Sequence, residues 1–269
     1  MIPNINLFGK TISAYMIVAC IAIIVSLFAI RKIAKENGLD ELSAQNMYLF
    51  SFIGAFLLSH IFSAAGKFDL IIELIKRRGE INSFGELFGS LEYIFGGSVF
   101  YGGMIGALLT ALIYIRFKKL DSASYKDLCA VIVPLFHSIA RIGCFLSGCC
   151  YGKECAVGFI YRYAAAPGAN GVRRFPVQLL ECALNFIIFL VILRLFKGGK
   201  LKGRLICVYL ISYSFIRFFL EFIRGDDYRG FAGALSSLQI VSIAVFVFAL
   251  SAVIVSVLRE RKKKPNAIL

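Results

Sequence analysis

The chain has 269 residues, 59% of them hydrophobic and 17% charged, with a formal net charge of +14; its mean hydropathy is +0.80. Soluble domains are less apolar and more charged than this, so a soluble enzyme is excluded. The basic residues sit between apolar runs, which points to membrane topology and anionic lipid rather than to nucleic acid.

A bilayer span needs about 20 mostly apolar residues. Seven runs meet that need in chain order: Ile12–Ile30, Met47–Ala65, Val99–Ile115, Leu128–Leu146, Leu179–Leu195, Leu205–Phe222 and Leu235–Leu258. No internal repeat or soluble domain interrupts them. The expected fold is an all-α polytopic membrane protein, a single seven-helix transmembrane domain over 1–269. Two long connections, 66–98 and 147–178, are expected to form a small head.

Orientation follows from the Lys and Arg count on each side. Alternating the loops puts seventeen basic residues on the side of Arg31-Lys32 and the C-terminus, and eleven on the other, over much longer loops. The N-terminus is therefore expected outside, the C-terminus inside, and the head outside. Ile17-Val18-Ala19-Cys20 has the look of a lipoprotein cleavage box. The apolar run continues past Cys20 to Arg31-Lys32, which favours an anchored helix over a cleaved signal.

Charges within spans are costly and normally face the bundle interior or a watery cavity. The fourth span holds His137 and Arg141, and the sixth holds Arg217 and Glu221. Tyr213, Arg217, Glu221 and Arg224 follow one another at i+4 and i+3, on one helical face. One reading is structural: an Arg217–Glu221 ion pair, with Arg224 reaching to the interface. The other is an anion site, in which Arg141 and Arg217 converge on a phosphate and Glu221 fixes one guanidinium. The planar fork of arginine suits phosphate oxygens.

Glycine-rich segments flank these charges. Phe95 to Gly106 opens the third span and contains Gly102-x3-Gly106, which by itself signals only helix packing. Its other glycines permit a turn and a close approach at the outer face. Ala140-Arg141-Ile142-Gly143-Cys144 runs into an exit loop with Gly148 and Gly152. Gln178 and Glu181 enter the fifth span, and Leu235 to Gln239 the seventh.

In this order the segments resemble the prolipoprotein diacylglyceryl transferase family. The resemblance rests on Tyr15; Gly96 to Gly103; Asp127, Pro134 and Arg141 to Gly152; Phe175 to Glu181; Tyr213 to Arg224; and Leu235 to Gln239. It implies a seven-span bundle in the bacterial cytoplasmic membrane. The implied activity is transfer of the sn-1,2-diacylglyceryl group from phosphatidylglycerol to a prolipoprotein cysteine, with release of glycerol phosphate and no cofactor or metal. The partners implied are phosphatidylglycerol, the lipobox segment of the prolipoprotein and membrane lipid, and no nucleic acid. By the same resemblance, Arg141, Arg217, Tyr101 and Tyr213 are the catalytic candidates. Tyr15, Gly102, Gly103, Cys144, Gly148, Gly152, Gln178, Glu181, Glu221 and Arg224 are the substrate-binding candidates. Cys144 stands where well-known members have Asn, Phe175 replaces His and Leu180 replaces Tyr. These departures keep two alternatives in view: a same-fold paralogue with another acceptor, and a redox protein or anion carrier. Lys76-Arg77-Arg78 and Arg173-Arg174 are expected to draw anionic head groups.

Eight cysteines occur. Cys20, Cys129, Cys182 and Cys207 fall inside spans as small apolar fillers. Cys144, Cys149, Cys150 and Cys155 gather at the outward face. They are open to four readings: a disulfide with Cys155 as partner, a zinc site, quinone-linked redox chemistry, or unpaired thiols.

Overall fold

The fold is that of a computed structural model, which describes residues 3–7, 10–65, 67–76, 85, 89, 90, 93, 94, 100–225, 231, 232 and 235–263. Its helices are α1 (Ala14–Glu36), α2 (Glu41–Ala65), α3 (Phe68–Lys76), α4 (Phe100–Phe117), α5 (Ser122–Ser147), α6 (Val177–Lys197), α7 (Leu205–Ile223) and α8 (Ser237–Lys263). Each of the seven apolar runs overlaps one of these helices, and α3 is the one without a run. Six are long and apolar enough to cross a membrane, and Gly102–Phe117 is a shorter apolar helix. The chain is a polytopic helical membrane protein.

Large apolar side chains such as Ile24, Phe28, Phe215 and Phe248 are exposed, while Ala22, Ala34, Ala44 and Ala130 are buried. Buried alanines suit helices packing within lipid, where close backbone approach replaces the hydrophobic drive, and larger side chains such as Ile30, Met47 and Leu128 fill the interior between them. Three short antiparallel pairs accompany the helices: β1 (Asn4–Leu7) with β2 (Lys10–Ser13), β3 (Glu154–Ile160) with β4 (Arg173–Arg174), and β5 (Phe231–Ala232) with β6 (Leu235–Ser236). Strands this short leave no alternation to read in the sequence.

The described chain divides into two compact units, one of residues 30–125 and the other of 1–29 with 126–269. In the first, Asp40 caps α2 by accepting the Ser43 N–H at 2.7 Å. Hydrogen bonds from the Ser43 side chain and backbone hold its carboxyl below the usual carboxylate range. Helices α2 and α4 touch through glycine. A methyl group on Gly106 would overlap the Gly54 carbonyl, and one on Gly102 would lie 2.7 Å from the Leu58 carbonyl. The Gly102-x3-Gly106 spacing thus serves helix packing. Gly103 is looser, with its nearest neighbours at 3.5 Å. Gly106→Leu is expected to cost about 1–3 kcal/mol through overpacking, seen as a lower melting temperature of the detergent-solubilised protein. The side chain of Tyr101, with Gly96, Gly97, Arg77 and Arg78, lies outside the described residues.

In the second unit, α5 is tied to its neighbours by polar residues. Asp127 accepts the N–H groups of Leu205, at 2.9 Å, and of Gly203, and so caps the start of α7. Ser138 Oγ donates to the Cys182 carbonyl of α6 at 3.0 Å. Gly143 lets α1 approach, since a methyl there would meet Tyr15 and Val18 at 3.2 Å.

Candidate active site

Helices α5, α6 and α7 each direct polar side chains into one buried cluster. His137 and Arg141 lie one turn apart on α5, as do Tyr213, Arg217 and Glu221 on α7. Glu181 comes from the first turns of α6 and is 1% exposed. Its Oε1 lies 2.8 Å from Arg141 Nη2, accepts the Tyr213 hydroxyl at 3.0 Å and stands 3.6 Å from His137 Nε2. The His137 ring packs on Tyr213, with centroids 4.9 Å apart, and Tyr213 stacks on Tyr209. A second pair sits one helix over, with Arg217 Nη2 3.1 Å from Glu221 Oε2. Arg217 also acts electrostatically on Glu181, His137 and Tyr213, so the two pairs form one cluster.

Two carboxylates against two guanidiniums keep the buried charge near balance, as burial of ions requires. The hydrogen bonding is incomplete, however. Among the described residues, Arg141 Nε and Arg217 Nη1 are buried without a hydrogen-bond partner. Buried N–H groups are rarely left this way outside functional sites. Both guanidiniums therefore retain donor capacity for an anion beyond their carboxylate partners.

The Ser236 to Gln239 segment holds this arrangement from the next helix. Ser236 precedes α8 and its Oγ accepts the Gln239 N–H at 3.2 Å, while Gln239 Oε1 accepts the Ser236 N–H at 2.9 Å. That is a capping box, Ser-x-x-Gln. The same Ser236 hydroxyl donates to Glu221 Oε1 at 3.0 Å. One serine thus starts α8 and orients the carboxylate that holds Arg217.

The exit loop after α5 is shaped by glycine. Gly148 has φ +74°, and the Cys149 and Gly148 N–H groups bond back to the Cys144 and Phe145 carbonyls at 3.2 Å each. This is a Schellman end, which needs the left-handed residue that glycine supplies. Cys150 follows at φ +55°, an uncommon conformation for a residue with a Cβ. Gly152 pairs with Arg224 across an antiparallel bridge, and a Cβ there would overlap the Phe175 carbonyl. The loop is stitched in this way to the end of α7.

The Sγ atoms of Cys144, Cys149 and Cys150 all lie within 4.8 Å of one another. Hydrogen bonds from Cys144 and Cys149, followed by the charges of Arg224 and Arg141, pull the Cys150 thiol far below its ordinary range against the effect of burial. Cys149 is pushed above that range by hydrogen bonds to the other two. Cys155 belongs elsewhere, donating to the Val157 carbonyl. All eight cysteines are free thiols, so of the four readings the disulfide with Cys155 as partner is not formed.

The sequence candidates thus fall into four groups. Arg141, Arg217, Tyr213, Glu181 and Glu221 form the charged cluster. Tyr15, on α1, packs against Gly143, where an added methyl would lie 3.2 Å from its ring, one residue before Cys144. Gly148, Gly152 and Gln178 build the loop: Gln178 Nε2 donates to the Cys149 carbonyl at 2.7 Å and its Oε1 accepts from Tyr161 at 3.3 Å. Tyr101, Gly102 and Gly103 belong to the other unit. Two expectations need correction. Arg224 is 8% exposed and its backbone bridges Gly152, which speaks against the reading in which it snorkels outward. Arg174 is not a surface lure for head groups. It is buried, donates to the Gly168 carbonyl at 2.8 Å and lies over the Tyr151 ring at 4.6 Å. Sequence reasoning assigns no role to Ser236 or Tyr161; the Ser-x-x-Gln spacing is the available signal for the first.

Fold and site together define a multi-span helical membrane protein with a buried two-arginine, two-carboxylate cluster at one set of helix ends. The family profile described as prolipoprotein diacylglyceryl transferase matches residues 4–255, and the chain belongs to that family. Among its relatives, the phosphatidylglycerol–prolipoprotein diacylglyceryl transferase of Clostridium tetani is 30% identical, covering 90% of this chain and 94% of its own. The protein of the same name from Campylobacter hominis is 30% identical over 93% of this chain and 88% of its own. That from Clostridioides difficile is 26% identical over 97% and 96%.

Proposed function

We propose that the chain is a transferase of lipoprotein maturation. It moves the sn-1,2-diacylglyceryl group from phosphatidylglycerol to the lipobox cysteine thiol of a prolipoprotein. The thiol sulfur bonds to the glyceryl carbon, the C–O bond to phosphate breaks with its electron pair going to the phosphate oxygen, and glycerol phosphate leaves while the thiol proton passes to it or to water. Family membership and the names of the relatives support the reaction. The observation that carries the site assignment is the pair of buried guanidiniums with unused N–H groups, on Arg141 and Arg217. Positive donors already aimed at the departing phosphate stabilise the charge that develops there. Glu181 and Glu221 hold the two guanidiniums in place, and Tyr213 fixes Glu181. Tyr15, Cys144 and Arg224 line the mouth of the site, with Gly148, Gly152 and Gln178 shaping the loop over it. By the family resemblance alone, Tyr101 is a further catalytic candidate and Gly102 and Gly103 are further substrate-binding candidates.

The decisive assay is transfer of labelled lipid from phosphatidylglycerol to a lipobox peptide by the purified protein, with glycerol phosphate measured in parallel. Stoichiometric appearance of thioether peptide and glycerol phosphate is the expected result. Redox cycling of the thiols without transfer would replace this reading by the redox alternative.

The proposed setting is the bacterial cytoplasmic membrane. There the chain forms one seven-span domain over 1–269, N-terminus out and C-terminus in, with head loops 66–98 and 147–178 outside. The contacts of the second unit support the alternation. They gather the start of α1, the end of α5, the start of α6, the end of α7 and the start of α8 at one level. A reporter active only in the cytoplasm is expected to be active when fused after Lys200 and silent when fused after Pro167. Activity at both positions would refute the orientation.

A further inference from the structure

We propose that Cys144, Cys149 and Cys150 form a three-thiolate site for one thiophilic divalent metal ion, of the chemical class of zinc. The spacing Cys-x4-Cys-Cys does not resemble the usual paired metal-ligand spacing, and the backbone explains why it works nonetheless. The Schellman turn at Gly148 folds Cys149 back over the end of α5. Cys150, at φ +55°, then turns toward the same point. The three Sγ atoms come within 4.8 Å of one another. A tetrahedral ion with Zn–S bonds of about 2.3 Å holds its sulfurs about 3.8 Å apart, a contraction that side-chain rotation supplies. An adjacent-residue disulfide would use only two of the three thiols and leave the convergence of the third unexplained.

Surrounding charge suits such a complex. Binding releases the three thiol protons, so a divalent ion with three thiolates carries a net charge of −1. Arg141 Nη1 donates to Cys144 Sγ at 3.7 Å, and the positive charges of Arg141 and Arg224 both act on Cys150. Cys144 is buried while Cys149 and Cys150 are half-buried, so an ion has a way in. Soft thiolate ligands select zinc-like ions over magnesium or calcium. Three protein ligands leave the fourth position to water. The metal site borders the proposed transfer site through Cys144 and Arg141, but its readout is metal retention and not turnover.

The test uses the full-length protein, reduced in detergent and loaded with zinc chloride, followed by gel filtration. One equivalent of zinc per chain should be retained. Alkylation mapped by mass spectrometry should then spare Cys144, Cys149 and Cys150 and still modify Cys155. Cobalt(II) should give a thiolate-to-metal absorption band that disappears in Cys150→Ser and persists in Cys155→Ser. Absence of stoichiometric zinc, or equal loss of the band in both variants, would overturn the proposal. The protection pattern in the unmutated protein keeps the test valid even if Cys150→Ser folds poorly. Failure of lipid transfer would leave the metal readout untouched, so the two readings fail separately.

Discussion

Arg141→Ala is expected to lower diacylglyceryl transfer by about 10²–10³-fold, and Arg217→Ala by a similar factor. Loss of one donor aimed at developing charge costs about 2.7–4 kcal/mol in the transition state. The two arginines are held by different carboxylates, Glu181 at 2.8 Å and Glu221 at 3.1 Å, so neither guanidinium can swing across to replace the other without breaking its own pair. Lys at either position should rescue little, because a point charge offers no planar fork for both carboxylate and phosphate. The measurement is initial rate with labelled phosphatidylglycerol and a lipobox peptide, with melting temperature recorded for each variant. Near-normal turnover of folded Arg141→Ala would leave the arginines as structural ion pairs only.

Glu181→Ala should strike stability as well as rate. Its carboxylate is the shared acceptor of Arg141 and Tyr213, at 1% exposure. Removing it strands a buried guanidinium, and breaking a buried pair from one side costs about 3–5 kcal/mol. Glu181→Gln keeps the shape and an acceptor oxygen, so it should fold better than Glu181→Ala while remaining impaired in transfer. Thermal melting of the two variants in the same detergent separates these effects. If Glu181→Ala melts like the unmutated protein, the carboxylate does not hold Arg141 in the way described.

Much of this protein is legible in its sequence. Hydrocarbon admits only long apolar runs with internally satisfied backbones, so composition and run length alone determined a helical membrane protein. The intramembrane charges Arg141, Arg217 and Glu221 marked the site for the same reason: their burial is too costly to be incidental. The Arg217–Glu221 pair could be read from i,i+4 spacing, a local property of one helix. Pairings between helices could not. That Glu181 belongs to Arg141, that Ser236 steadies Glu221 while capping α8, and that Arg224 and Arg174 are enclosed all depend on which helix ends meet. Nor did spacing tell that Cys144 joins Cys149 and Cys150 while Cys155 stands apart. That grouping is set by a left-handed turn at Gly148 and an unusual φ at Cys150, so it is decided by the folded backbone and not by the order of residues along it.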